Sequence, residues 1–171
     1  MDFNQLARDR YSCKKYDPAR QVSEAQLQAI LEAGQAAPTA KNLQGQRIHV
    51  ARTPESLALV DEVTPCRYGA PTVLVVAFDK GSVFTYPGGA RDSGMEDAAI
   101  VATHMMLAAA AQGVDSCWLN FFDPADAKAK LGLPENEEVA LLLDLGFAAP
   151  EAGPLPNHSS RKPLSETVSY L

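Results

Sequence analysis

The chain has 171 residues, 46% hydrophobic and 21% charged, enough for one domain with a real apolar core. Its formal charge of −6 and pI near 5.0 argue against a general nucleic-acid surface, which needs a basic excess to displace counterions. Three cysteines, Cys13, Cys66 and Cys117, are an odd number without a CxxC pair, so neither a disulfide framework nor a zinc site is expected. A reducing cytoplasm suits such a chain. The opening MDFNQLARDR lacks the apolar stretch of a signal peptide, and the longest apolar run, Ala98 to Ala111, is too short to span a bilayer.

Phe3, Leu6 and Ala7 share one helical face, predicting a short helix ending near Arg10. Ser23-x-x-Gln26 reads as a capping box for a second helix with Leu27, Ile30 and Leu31 inward, ending between Gly34 and Pro38. Arg47 to Arg52 alternates like a half-buried strand, and Thr53-Pro54 opens a helix through Leu57 and Val60. Thr72 to Phe78 is a continuous apolar run, expected of a central strand covered on both faces. Residues 79–91 form a loop, with Gly81, Pro87, Gly88 and Gly89 against any regular element.

Ser93-x-x-Glu96 reads as another capping box, opening a helix that runs to Gly113. That helix is apolar or small on nearly every face, so part of it is expected to meet a second subunit. His104, within it, is expected to be a core histidine. A strand from Ser116 to Phe122, a helix capped by Asp123-Pro124 and a last core strand from Glu138 to Phe147 follow. The tail from Ala148 is rich in Pro, Gly and Ser, with a short strand possible at 168–171. Helices and strands do not alternate as regular βαβ units, so the class is α+β, a single domain over 1–171.

Three segments carry chemistry. In Arg10-Tyr-Ser-Cys-Lys-Lys-Tyr16, the side chains of Arg10, Ser12 and Lys14 alternate, so an extended backbone turns a guanidinium, a hydroxyl and an ammonium to one face. That set suits a phosphate monoester. A solvated basic turn has the same sequence. Ala37-Pro-Thr-Ala-Lys-Asn-Leu-Gln44 places Asn42 and Gln44 two apart, where both amides can face a planar ligand or satisfy local backbone. Ser160-Arg-Lys-Pro-Leu164 adds cations near the end. No Ser/His/Asp set supports a hydrolytic triad, and Cys13, flanked by Arg10 and Lys14, is either a reactive thiol or a passive neighbour.

Taken in series, these motifs resemble the FMN-dependent nitroreductase family, in its short branch of about this length. The resemblance implies a mainly antiparallel sheet flanked by helices, a long central dimer helix, and FMN at the interface of a homodimer whose tail from 148 to 171 wraps the partner. It implies phosphate contacts from Arg10, Ser12, Lys14 and Arg161, and ring and ribityl contacts from Pro38, Thr39, Asn42 and Gln44. It places the strand holding Trp118, with Phe121 and Phe122 beyond, near the flavin ring. NADH or NADPH is the implied donor, and nitroaromatics, quinones or free flavins the implied small-molecule acceptors, in a ping-pong sequence without a catalytic side chain. No nucleic-acid or membrane partner is implied. Departures are Lys14 in place of a common Arg, Ser159 where larger members have a second cation, leaving Lys162 as an alternative, and Gly45-Gln46 with a short 79–91 loop, which imply an open entrance. A flavin carrier or sensor, or a dehalogenase or flavin-destroying enzyme on the same fold, is the alternative function.

Overall fold

The computed structural model describes residues 2–171; Met1, the first residue of the expected domain, lies outside the described residues. Four strands, β1 (Gln46–Ala51), β2 (Thr72–Asp79), β3 (Asp115–Leu119) and β4 (Glu137–Gly146), form one sheet in the order β1-β2-β4-β3, every neighbouring pair antiparallel. The helices are α1 (Phe3–Asp9), α2 (Glu24–Gln35), α3 (Pro54–Val63), α4 (Gly94–Ala111), α5 (Pro124–Lys130) and α6 (Leu164–Thr167).

Period-two alternation sorts the sheet residues into two cores. Leu74, Val76, Phe78, Leu141, Leu143 and Leu145 face α2 and α4, meeting Ile30, Val101 and Met105. Val73, Val75, Leu142, Cys117 and Leu119 face Val60 of α3 and Ala127 of α5. Because β2 and β4 are covered on both faces, they read as unbroken apolar runs. Gly34 lets α2 approach α4: a Cβ there would sit 2.7 Å from Met105 Cγ.

Both N-terminal caps expected on α2 and α3 are formed. Ser23 and Gln26 close a reciprocal box, and Thr53 closes one with Ser56 behind Pro54. The box expected at Ser93 is not formed. Ser93 makes no capping bond, and its hydroxyl donates instead to Asp97 Oδ2 at 2.8 Å. Two further expectations are corrected. Residues 168–171 follow the short α6 without pairing as a strand, and the third strand ends at Leu119 rather than Phe122. His104 is exposed, not in the core; its Nδ1 lies 2.9 Å from the Ile100 carbonyl one turn back.

Candidate functional site

After α1 the chain runs extended beside β3. Ser12 forms a parallel bridge with Ser116, and the Cys13 amide donates to the Ser116 carbonyl at 2.9 Å. Cys13 points inward with no exposure while Ser12 and Lys14 face outward together; Arg10, half-buried at the end of α1, does not share their hollow. Cys13 is the passive neighbour, its thiol donating to the Lys15 carbonyl at 3.3 Å and pushed toward the neutral form by burial.

Ser12 and Lys14 line a hollow of 240 Å³ with Cys66, Tyr68, Cys117, Trp118, Leu119, Asn120 and Phe121. Lys14 Nζ lies 5.6 Å from the centre of the Tyr68 ring. Trp118 is held by its indole N–H on Asn120 Oδ1 at 2.9 Å, and Phe121 is 72% exposed at the rim. Arg10 lines a neighbouring hollow of 170 Å³ between α1, the end of α4 and the start of β3.

The tail returns Arg161 to this corner. His158 anchors it, with Nε2 3.0 Å from the Arg8 carbonyl and its ring edge-on to Tyr11. Arg161 donates to the carbonyls of His158 and Ser160. Among the described residues no carboxylate lies within ion-pair distance of Arg10, Lys14 or Arg161, whereas Lys162 pairs with Glu166. In a chain with 21 acidic residues, cations without carboxylate partners at 10 and 14 and on the tail anchored at Arg8 suit an anion such as phosphate.

Pro38, Thr39, Asn42 and Gln44 lie elsewhere. Their loop precedes β1, on the opposite edge of the sheet and at its opposite end: Gly45 accepts from the Asp79 amide, while Ser116 is level with Leu145 and Thr72. Four strand spacings of about 4.8 Å across and about seven residues of 3.3 Å along put the two segments roughly 30 Å apart. Within one copy of the chain the two segments therefore stand well apart.

The loop is not the extended segment that alternation implied. Residues 40–42 make a 3₁₀ turn, and Lys41, Asn42 and Gln44 take φ of 51°, 55° and 51° in the left-handed region. Thr39 Oγ1 accepts from the Gln44 amide at 3.1 Å, and Gln44 Nε2 is 3.4 Å from the Asn42 carbonyl. Pro38, Asn42 and Gln44 are exposed and Thr39 is half-buried. Gly45 does not open the entrance; it is buried, and a Cβ there would lie 2.3 Å from the Ser82 carbonyl oxygen. Asp97 was not singled out in the sequence, yet its Oδ1 accepts from the Ala40 amide at 2.8 Å and ties this loop to α4.

Behind the hollow Asp144 is fully buried on β4, and both carboxyl oxygens lack a hydrogen-bond partner. Burial pushes its pKa up to about 9, against a smaller opposing pull from Arg67. Burial, with Asp144 next, pushes the Cys117 thiol up to about 11. Neither group is poised as a base or nucleophile at neutral pH. The described residues hold no cluster fit for a metal ion, and none of their helices is long and apolar enough to cross a membrane.

Comparison with known proteins agrees with this architecture. The Nitroreductase family pattern matches residues 7–66 and 64–147. A protein of Thermus thermophilus named NADH dehydrogenase is 30% identical, covering 99% of this chain and 96% of its own. The crystal structure of a nitroreductase family protein from Clostridium difficile superposes with a TM-score of 0.91 at 35% identity, covering 99% of this chain and 98% of that one. A candidate nitroreductase in complex with FMN from Exiguobacterium sibiricum shares the fold, with a TM-score of 0.84 at 20% identity over 100% of this chain and 98% of that one. The chain is an enzyme belonging to the nitroreductase family of oxidoreductases.

Proposed function

We propose that the chain is a homodimeric, cytoplasmic FMN oxidoreductase, each of its two sites built from both copies. The observation that carries this reading is the placement of Arg10, Lys14 and Arg161. Lys14 lines the aromatic-rimmed hollow, Arg10 the hollow next to it, and Arg161 sits on the tail anchored at Arg8, none with a carboxylate partner, while the amide loop lies across the sheet diagonal. Arg10 and Arg161 would hold the phosphate by forked hydrogen bonds, Lys14 as a point charge and Ser12 through its hydroxyl. Pro38, Thr39, Asn42 and Gln44 of the second copy would close over the ring and ribityl.

When bound, FMN would supply the redox chemistry between a NADH or NADPH donor and a nitroaromatic, quinone or flavin-like acceptor, in a ping-pong sequence. The chain's own groups orient and screen; none is required as an acid or a nucleophile. The complex of a fold relative with FMN supports this cofactor, and the printed name of the Thermus relative supports a nicotinamide donor. The single domain and a tail that wraps the partner belong to the same reading.

The test is direct. The purified protein should be yellow and release FMN rather than FAD. Initial rates against NAD(P)H at several quinone concentrations should give parallel double-reciprocal lines. A colourless protein that takes up no added FMN would refute the proposal.

A further inference from the structure

Ser93, which does not cap α4, belongs to a buried junction beside the amide loop. Ser93 is 1% exposed and Asp97 5% exposed, and their polar atoms engage three separate segments. Asp97 Oδ2 accepts from the Ser93 hydroxyl and Oδ1 from the Ala40 amide, both at 2.8 Å. Ser93 Oγ in turn accepts from the Phe84 amide at 3.1 Å, and the Ser93 amide donates to the Phe84 carbonyl at 2.9 Å. Outside this buried node, Lys41 Nζ lies 4.7 Å from the centre of the Phe84 ring. Loop 38–44, loop 79–91 and the start of α4 thus converge on one carboxylate.

An acidic residue in the first turn of a helix ordinarily complements the helix dipole. Glu96 fills that role here from the surface, taking the Tyr86 hydroxyl and Arg91 as partners. Asp97 is turned the other way, with each oxygen engaged outside the helix backbone. The 38–44 loop that it holds carries three non-glycine residues in left-handed conformation, which persist only where surrounding contacts fix them.

We propose that Asp97 is a positioning residue: through Ala40 and Ser93 it locks the ring-facing loop and the 79–91 loop into one arrangement at the cofactor. This rests on the FMN reading above for its consequence, but the locking itself is a property of the chain alone.

The experiment compares Asp97→Ala, Asp97→Asn and Ser93→Ala in the full-length protein, with Val60→Ala on the far side of the sheet as a destabilised control. Hydrogen exchange of the 38–45 peptide is read without FMN; FMN affinity, and acceptor KM against kcat, are read with it. In Asp97→Ala, exchange of that peptide and the FMN dissociation constant should each rise roughly tenfold or more, as for loss of a hydrogen bond to a charged group. Acceptor KM should rise more than kcat falls. Asp97→Asn should restore most of both, because its amide oxygen still accepts from Ala40, and Ser93→Ala should fall between. Unchanged exchange at 38–45, an Asn variant as damaged as Ala, or the same pattern in Val60→Ala would overturn the proposal. A wild-type chain that binds no FMN would sink the cofactor reading, and the exchange contrast would still decide the role of Asp97.

Discussion

Asp144 and Cys117 face each other across the β3–β4 pair on the same side of the sheet, the carboxyl without a hydrogen-bond partner and the thiol beside it lining the hollow. A buried acid so placed is kept neutral by its surroundings, and its cost appears as pH dependence.

The unfolded chain releases the Asp144 proton near the ordinary value of about 3.9, whereas the folded chain keeps it up to about 9. Between those values the folded state binds the extra proton, so this residue's contribution falls as pH rises. Asp144→Asn removes that titration. The variant should gain stability over the parent, and the gain should be larger at pH 8 than at pH 5 by on the order of 4 kcal/mol. Denaturant unfolding at the two pH values measures it; equal gains would contradict the assignment.

Arg10→Ala and Arg161→Ala should each weaken FMN binding by about 1.5–3 kcal/mol, the range for hydrogen bonds to charged groups. Riboflavin, which lacks the phosphate, should bind both variants as it binds the parent. Titration by flavin fluorescence quenching separates the two ligands. Full FMN occupancy of the double variant at low micromolar protein would remove these residues from the site.

Gly45→Ala should destabilise the fold by about 1–3 kcal/mol, the typical cost of overpacking. Its Cβ would meet a backbone oxygen, Ser82 O, at 2.3 Å, which cannot swing aside as a side-chain tip does. Thermal unfolding checks the cost, and a loss of FMN affinity should accompany it because the displaced segment adjoins Gln44.

Deleting residues 160–171 should weaken both dimer and flavin binding. The removed segment carries Arg161 and the exposed Leu164, Val168 and Tyr170, apolar surface suited to burial against a second copy. Met95 and Ile100 on α4 are exposed in the single chain for the same proposed reason. Sedimentation velocity with absorbance at the flavin band follows both species, and a flavin-loaded monomer at micromolar concentration would end the dimer proposal.

The sheet and its helices were legible because their signals are local. Ser23 with Gln26 caps α2, Thr53-Pro54 starts α3, and the apolar run at 72–78 is β2. Alternation along the extended segment turns Ser12 and Lys14 outward and Cys13 inward, while Arg10, still at the end of α1, falls outside that pattern. What escaped depends on partners distant in sequence. The Ser93-x-x-Glu96 pattern is a sound cap signal, but Ser93 is claimed by Asp97, which is held in turn by Ala40, 57 residues away. His49 likewise lies 2.6 Å from Glu137 across 88 residues. The expected alternation of Asn42 and Gln44 failed because three left-handed residues coil that loop, and no periodicity announces positive φ outside glycine. His104 was placed inside because its neighbours are apolar, yet it lies on the exposed stripe that includes Ile100.

The diagonal placement of the two motifs has a genetic consequence. In the proposed two-fold dimer each site would take residues 10–14 from one subunit and 38–44 from the other. At flavin concentrations too low to load either variant, a chain disabled at Arg10 and a chain disabled at Asn42 would each be inactive as pure dimers, but a hybrid of the two would gather both lesions into one site and leave the other wholly wild-type. Two dead alleles co-expressed should therefore complement each other, with every hybrid molecule carrying a single flavin and half the full activity.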